Sequence, residues 1–146
     1  MSGDWLREYR RECLLDEHRS LSSFVEKEIV MTTLTKLVAI LAWLAATGTR
    51  TLPAVAVAVL TFWSVDVLYA YYGDVYKRRR FQVRAWLDAL PRATEAELGS
   101  WKTPANPFDG LSRSEKIAAL TGTIGSPAVS GVYVVLVLFA VVLGAI

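Results

Sequence analysis

Lys36 and Asp66 are the residues of this chain whose chemistry would matter most inside a bilayer. The lysine lies in IVMTTLTKLVAILAWLAAT and the aspartate in PAVAVAVLTFWSVDVLYAYY, both otherwise apolar runs. A lone charge in hydrocarbon costs about 2.5–3.5 kcal/mol on insertion scales, so an opposite charge at the same depth is the obvious relief. Only GTRTL separates the two runs, and positions 36 and 66 are equidistant from Thr51 in that turn. In a helical hairpin they stand level, each about seven residues, or roughly 10 Å, from the inner boundary. The pair then reads as a structural bridge that registers the hairpin, with Lys36 able to snorkel toward water. It also reads as part of an ion or proton path at an oligomer axis, or as a contact for a partner protein. Thr32, Lys36, Ala39, Trp43 and Thr47 share one face of the first run at helical spacing. Phe62, Asp66, Tyr69 and Gly73 form a comparable stripe on the second. Thr32, Trp43 and Tyr69 therefore join the charged pair as candidate pore residues. Ala42 with Ala46, and Ala54 with Ala58, would let helices approach closely.

A second group is cationic. KRRRFQVRAWLDAL sets Lys77, Arg78, Arg79, Arg80 and Arg84 against Phe81, Trp86, Leu87 and Leu90. Such a segment anchors beside anionic headgroups, where each cation contributes about 1 kcal/mol. The same cations suit an anionic ligand such as a nucleotide or oligonucleotide. Net charge is only +2, so no global basic field argues for nucleic acid as a partner.

Enzymatic patterns are sparse. Arg11 and His18, with six residues between them, match a spacing allowed in the Arg-and-His ribonuclease motif of HEPN domains. That chemistry needs two such helices face to face, and Glu12 beside the arginine opposes phosphate. One histidine and one cysteine rule out an ordinary intrachain zinc site. There is no Gly-rich phosphate loop and no GxSxG. Asp16 and Glu17 are adjacent carboxylates on what reads as a solvated helix. The sequence predicts neither an enzyme nor a cofactor.

The elements that position these residues follow from hydropathy. The chain has 146 residues, 53% of them apolar, and a mean hydropathy of +0.35, more apolar than most soluble domains of this size. A span needs about 20 mainly apolar residues. Three windows qualify: Ile29 to Thr47, Pro53 to Tyr72, and Pro127 to Ile146. The expected fold is an all-α membrane protein with three transmembrane helices, a helical hairpin plus a C-terminal span. Its parts are a cytoplasmic amphipathic helix over 1–28, the transmembrane hairpin over 29–72, a cytoplasmic basic loop with short helices over 73–126, and the third span over 127–146. Lysines and arginines crowd the 73–126 loop, whereas the hairpin turn holds Arg50 alone. The positive-inside rule therefore places the long loop and the N-terminus in the cytoplasm and the C-terminus outside. MSGDWLREYRRE has no apolar stretch behind it and so predicts no cleavable signal peptide.

Residues 4 to 28 read as a charge-rich helix whose Leu6, Tyr9, Cys13, Leu21 and Phe24 form a patchy apolar face. That face suits the second loop or another subunit, and a homo-oligomer is expected. Ser23 with Glu26 makes a capping box at which a helix could restart; the alternative is one rod from residue 4 to residue 47. PRATEAELGSWKTPANPFDGL, with three prolines, reads as an irregular linker clipped down by Trp101 and Phe108. SRSEKIAAL reads as a short helix capped by Ser112 and Glu115.

Taken together, the EY-containing amphipathic helix, the lysine-bearing span, the tight hairpin and FWSVDVLYAYYGDVYKRRRFQVR resemble small membrane proteins of bacterial anti-phage defence loci. These are the SLATT proteins and related two- to four-span effectors of cyclic-oligonucleotide (CBASS-like) systems. The resemblance covers about residues 5 to 90 and rests on Phe62, Trp63, Asp66, Tyr69, Tyr71, Tyr72 and the basic helix after them. The third span departs from the two-span SLATT layout. The resemblance implies an inner-membrane oligomer that forms or gates an ion-permeable pore when a cytosolic sensor signals infection. The rival expectation is a non-conducting anchor that recruits a soluble enzyme, and a third is a small proton-coupled carrier subunit.

Overall fold

The computed structural model describes residues 3–48, 52–102 and 106–144, and every regular element in them is helical. Arg50 and the rest of the turn at 49–51 lie outside the described residues, as does the end of the third apolar run at 145–146.

Helix α1 spans Gly3–Gly48, 46 residues without a break, about 70 Å at 1.5 Å per residue. Of the two alternatives, the continuous rod forms and no restart occurs at Ser23. Inside a continuous helix the amides that Ser23 would cap already bond the carbonyls four residues back, so the capping box has no orphan donor to serve. No Gly or Pro interrupts 4–47, which is why the single rod forms. Helix α2 spans Leu52–Ala89 and carries the second apolar run directly into the cationic segment. It opens with Pro53, where a missing N–H is harmless, and gives way at Pro91 to a 3-10 turn over Leu90–Arg92.

The next helix, α3 (Glu95–Ser100), lies in the stretch expected to be irregular. Thr94 and Glu97 form a reciprocal capping box: the Thr94 hydroxyl accepts from the Glu97 amide, and the Thr94 amide donates to Glu97 Oε2 at 2.7 Å. The TxxE signature was as visible as the one at Ser23; here the prolines on either side leave a real helix start for it to cap. Helix α4 (Arg113–Ile124) and helix α5 (Pro127–Gly144) follow, bent by 47° from one another. The bend is built by Gly125 and Ser126, whose amides close the last turn of α4 onto Thr121 O and Thr123 O. Ser126 O then accepts from the Val129 and Ser130 amides and opens α5. The Ser130 hydroxyl donates back to Ile124 O, one of the carbonyls a helix end leaves unpaired.

The chain divides into two compact units, Met1–Glu26 with Gly73–Ser112, and Lys27–Tyr72 with Arg113–Ile146. The first has a conventional core. Leu14, Leu21 and Val83 are buried against Tyr76, Trp86 and Leu87, and Leu90, Ala93 and Leu98 against Leu6 and Trp101. Trp86 and Trp101 stack at 5.6 Å, and Phe108 meets the edge of Tyr76.

The second unit is arranged the other way round. Its small core of Ala39, Trp43, Val55, Val59, Tyr133 and Leu136 is surrounded by outward-facing Leu, Val and Phe, with Leu41 64% exposed. A continuous exposed apolar surface of this kind needs an apolar solvent or a partner. Two helices, α1 and α2, are long and apolar enough to cross a membrane, and a third span is present if bent α4 and α5 count as one.

The Glu97 carboxylate is held below its usual range, chiefly by the Thr94 backbone amide and then by the Thr94 hydroxyl. Its cap is therefore in place above the unfolded carboxylate value of about 4.3 and weakens as pH falls through the lower folded value. Thr94→Ala should speed amide exchange at Glu97 and Leu98 by about fivefold at neutral pH. Exchange mass spectrometry of the 90–101 segment measures it, and the difference between variant and wild type should shrink on acidification.

Candidate functional site

Asp66 sits on α2 with no exposed side-chain surface, in the unit whose outside is apolar. Its charge partner comes from α1: Lys36 Nζ stands 3.5 Å from Asp66 Oδ2. The ammonium also donates to Ala128 O in the first turn of α5, at 2.8 Å. One lysine thus ties three helices together. From α5, the Tyr133 hydroxyl faces the same carboxylate while donating to Phe62 O, one turn before Asp66 on α2. Trp63 Nε1 donates to the Ser130 hydroxyl at 3.0 Å, adding a second polar link between α2 and α5.

The site is under-bonded. Among the described residues, neither carboxylate oxygen of Asp66 completes a well-aligned hydrogen bond. A buried carboxylate accepts readily at both oxygens, and leaving them unfilled is costly. The ammonium neutralises the charge but supplies no aligned donor. Glu28, also buried and on α1, adds a second negative charge to the field at Asp66.

The other expected pore residues separate from this pair. Trp43 is a packing residue in the apolar core beside Val55 and Val59. Thr32 donates its hydroxyl to Ile29 O of its own helix. Tyr69 is exposed. Tyr133, Ser130 and the Ala128 carbonyl were missed. The depth count that paired Lys36 with Asp66 would have found Tyr133, which lies six residues in from Pro127.

In the other unit, the cationic set divides. Arg79 is only 7% exposed and is not a free surface cation. Its Nε donates to Glu17 at 2.7 Å, Nη1 to Gln82 Oε1 at 2.8 Å and Nη2 to Lys102 O at 3.3 Å, and the guanidinium lies over Trp86. Arg78 and Arg84 face solvent, whereas Lys77 and Arg80 are partly covered, Arg80 near the Phe81 ring. Glu17 correspondingly leaves the solvated face on which it was expected: its side chain is 15% exposed and bonded to Arg79. Asp16 stays in solvent, paired with Arg19.

The expected partner face also divides. Leu21 is buried on Val83, Leu6 packs on Leu90, Ala93 and Leu98, and Phe24 stacks on Tyr76 at 3.8 Å. Those three contacts lie within the chain. Cys13 is half-buried, and Tyr9 remains exposed, stacked with Trp5. Among the described residues no cluster of His, Cys, Asp and Glu could hold a metal ion.

Compared with protein families, curated proteins and solved structures, the chain matches none.

Removing one partner of a buried pair strands the other, whereas removing both relieves it. Lys36→Met should therefore destabilise the detergent-solubilised protein by about 3 kcal/mol. Lys36→Met with Asp66→Asn should recover most of that loss in the same unfolding assay. Arg79→Lys should also lower the melting temperature by several degrees, because an ammonium lacks the planar fork that reaches Glu17, Gln82 and Lys102 O together.

Proposed function

We propose that this protein is an oligomeric bacterial inner-membrane effector that forms or gates an ion-permeable pore, of the kind its sequence resembles in anti-phage defence. The observation that carries the reading is the Lys36–Asp66 pair, whose carboxylate is enclosed and under-bonded among helices whose outer surface is apolar. In this reading the conformation described is the closed one. The pair acts as a latch joining α1, α2 and α5, and opening separates Asp66 from Lys36 so that carboxylates from several copies meet along a shared path.

The packing of the N-terminal stretch on the 73–112 stretch supports the topology proposed here. Glu17 bonds Arg79, which fits a reading with both stretches on one side of a bilayer and two crossings between them. The cation excess of 73–126 favours the cytoplasmic side. A cytosolic sensor would then reach the chain through this unit. The exposed Trp5–Tyr9 stack favours the second reading, a non-conducting anchor that recruits a cytosolic enzyme.

Membrane potential in cells expressing the chain alone separates the two. Wild type should depolarise them, and Asp66→Asn at matched abundance should depolarise them further, since it weakens the latch. No depolarisation by either form, with stable oligomers in detergent, would sink the pore in favour of the anchor.

A further inference from the structure

The polar unit contains a cleft of about 760 Å³, within the range of ligand sites. One wall is α2, with Arg78, Arg79, Gln82 and Trp86; the others are Lys102 and the turn carrying Asp109. Arg78 and Lys102 face the solvent side of the cleft, and their side chains make no hydrogen bond or ion pair with another described residue. Arg79 forms part of the lining from beneath, fixed in place by Glu17, Gln82 and Lys102 O. A guanidinium carries five N–H donors, and those three bonds leave two. Glu17 cancels the charge of Arg79, and Asp109 at the rim opposes one further cation, so the cleft keeps a modest positive excess from Arg78 and Lys102.

The aromatic wall restricts the ligand. Trp86 has Trp101 stacked on it at 5.6 Å and the Arg79 guanidinium over its ring at 4.7 Å, so the indole already has two partners. A flat base or ring would have to compete with both for the indole. What the cleft offers instead is a fixed guanidinium and two exposed cations around an open space, which suits the tetrahedral oxygens of phosphate.

We infer that this cleft is a phosphate-recognition site, in which Arg78 and Lys102 close on a phosphate or pyrophosphate group above the fixed guanidinium of Arg79. It stands apart from the question of conduction, because every residue in it belongs to the polar unit. The phosphate could belong to a lipid headgroup or to a soluble phosphorylated molecule. Arg84, also exposed on α2 but not in the cleft lining, is the internal control.

The test uses the full chain in phosphatidylcholine nanodiscs, titrated calorimetrically with pyrophosphate. Saturable binding is expected, weakened about tenfold or more by Arg78→Ala with Lys102→Ala and unchanged by Arg84→Ala. The same titration in phosphatidylglycerol nanodiscs distinguishes the sources. If a headgroup is the natural occupant, pyrophosphate affinity falls there, and native mass spectrometry shows the double variant retaining less phosphatidylglycerol than wild type. If a soluble phosphate is the ligand, affinity is the same in both lipids. No pyrophosphate binding together with equal lipid retention, or equal weakening by Arg84→Ala, overturns the site. Far-ultraviolet circular dichroism confirms that the surface variants keep their helices.

Discussion

Asp66 can keep a charge with no exposed surface only while the Lys36 ammonium stands beside it, and much of the second unit follows from that requirement. The lysine must reach across from α1, which fixes the register of the α1–α2 pair. Its remaining hydrogen-bonding capacity goes to Ala128 O, which brings the first turn of α5 to the same level. Tyr133, one turn further along α5, is then carried onto α2, where its hydroxyl meets Phe62 O. Apolar packing of Ala39, Trp43, Val55 and Val59 adds contact area but little discrimination between registers, because one small apolar side chain replaces another easily. Polar groups in a bilayer discriminate sharply, since a slip leaves them stranded.

The two units bury and expose opposite chemistry. Around Val83 and Leu98 the hydrophobic side chains are inside, and most charges face out, the buried Arg79–Glu17 bridge and the partly covered Arg10, Lys77 and Arg80 excepted. Around Asp66 the charges are inside and the leucines and valines face out. One chain therefore carries surfaces suited to two solvents, and α1 and α2 each contribute to both. The bridge at Arg79 and the bridge at Asp66 also differ in kind. The guanidinium has three well-made hydrogen bonds and an aromatic cover, whereas the carboxylate has a charge partner and no aligned donor. The first has the bonding of a rigid structural joint. The second has fewer bonds to break.

How legible the chain was in sequence depended on the reach of each signal. Depth along a hairpin is set by residue count alone, so the level of Lys36 and Asp66 could be read directly. The same count was available for Tyr133, but a hydroxyl in an apolar run attracts less notice than a charge. The capping box at Ser23 was misleading because a cap is a local pattern, while helix continuity is decided by the absence of breakers over many residues. At Thr94 the same pattern lay in a stretch whose three prolines suggested an irregular linker, although Pro91 ends α2 and leaves room for a short helix to begin. The run KRRR looked uniform as a list of cations. Helical spacing separates it: Val75, Arg79 and Val83 share one buried stripe at four-residue intervals, so only Arg79 of the four arginines between 78 and 84 is buried. Which carboxylate would meet it was not readable, since Glu17 lies 62 residues away.

The three-way tie through Lys36 has a consequence for the order in which the protein is made. Thirty residues separate Lys36 from Asp66, and Ala128 lies 62 residues beyond that. At a synthesis rate of about 5–20 residues per second, Lys36 would wait roughly 2–6 seconds for its counter-charge and longer again for the carbonyl of α5. During that interval a lysine-bearing segment entering a bilayer alone bears the full cost of its charge. The favourable course is for α1 to remain at the interface until α2 emerges, so that ammonium and carboxylate cross the headgroups together as a neutral pair. For a hairpin that enters a bilayer, the bridge that registers it would thus also be a condition on its insertion.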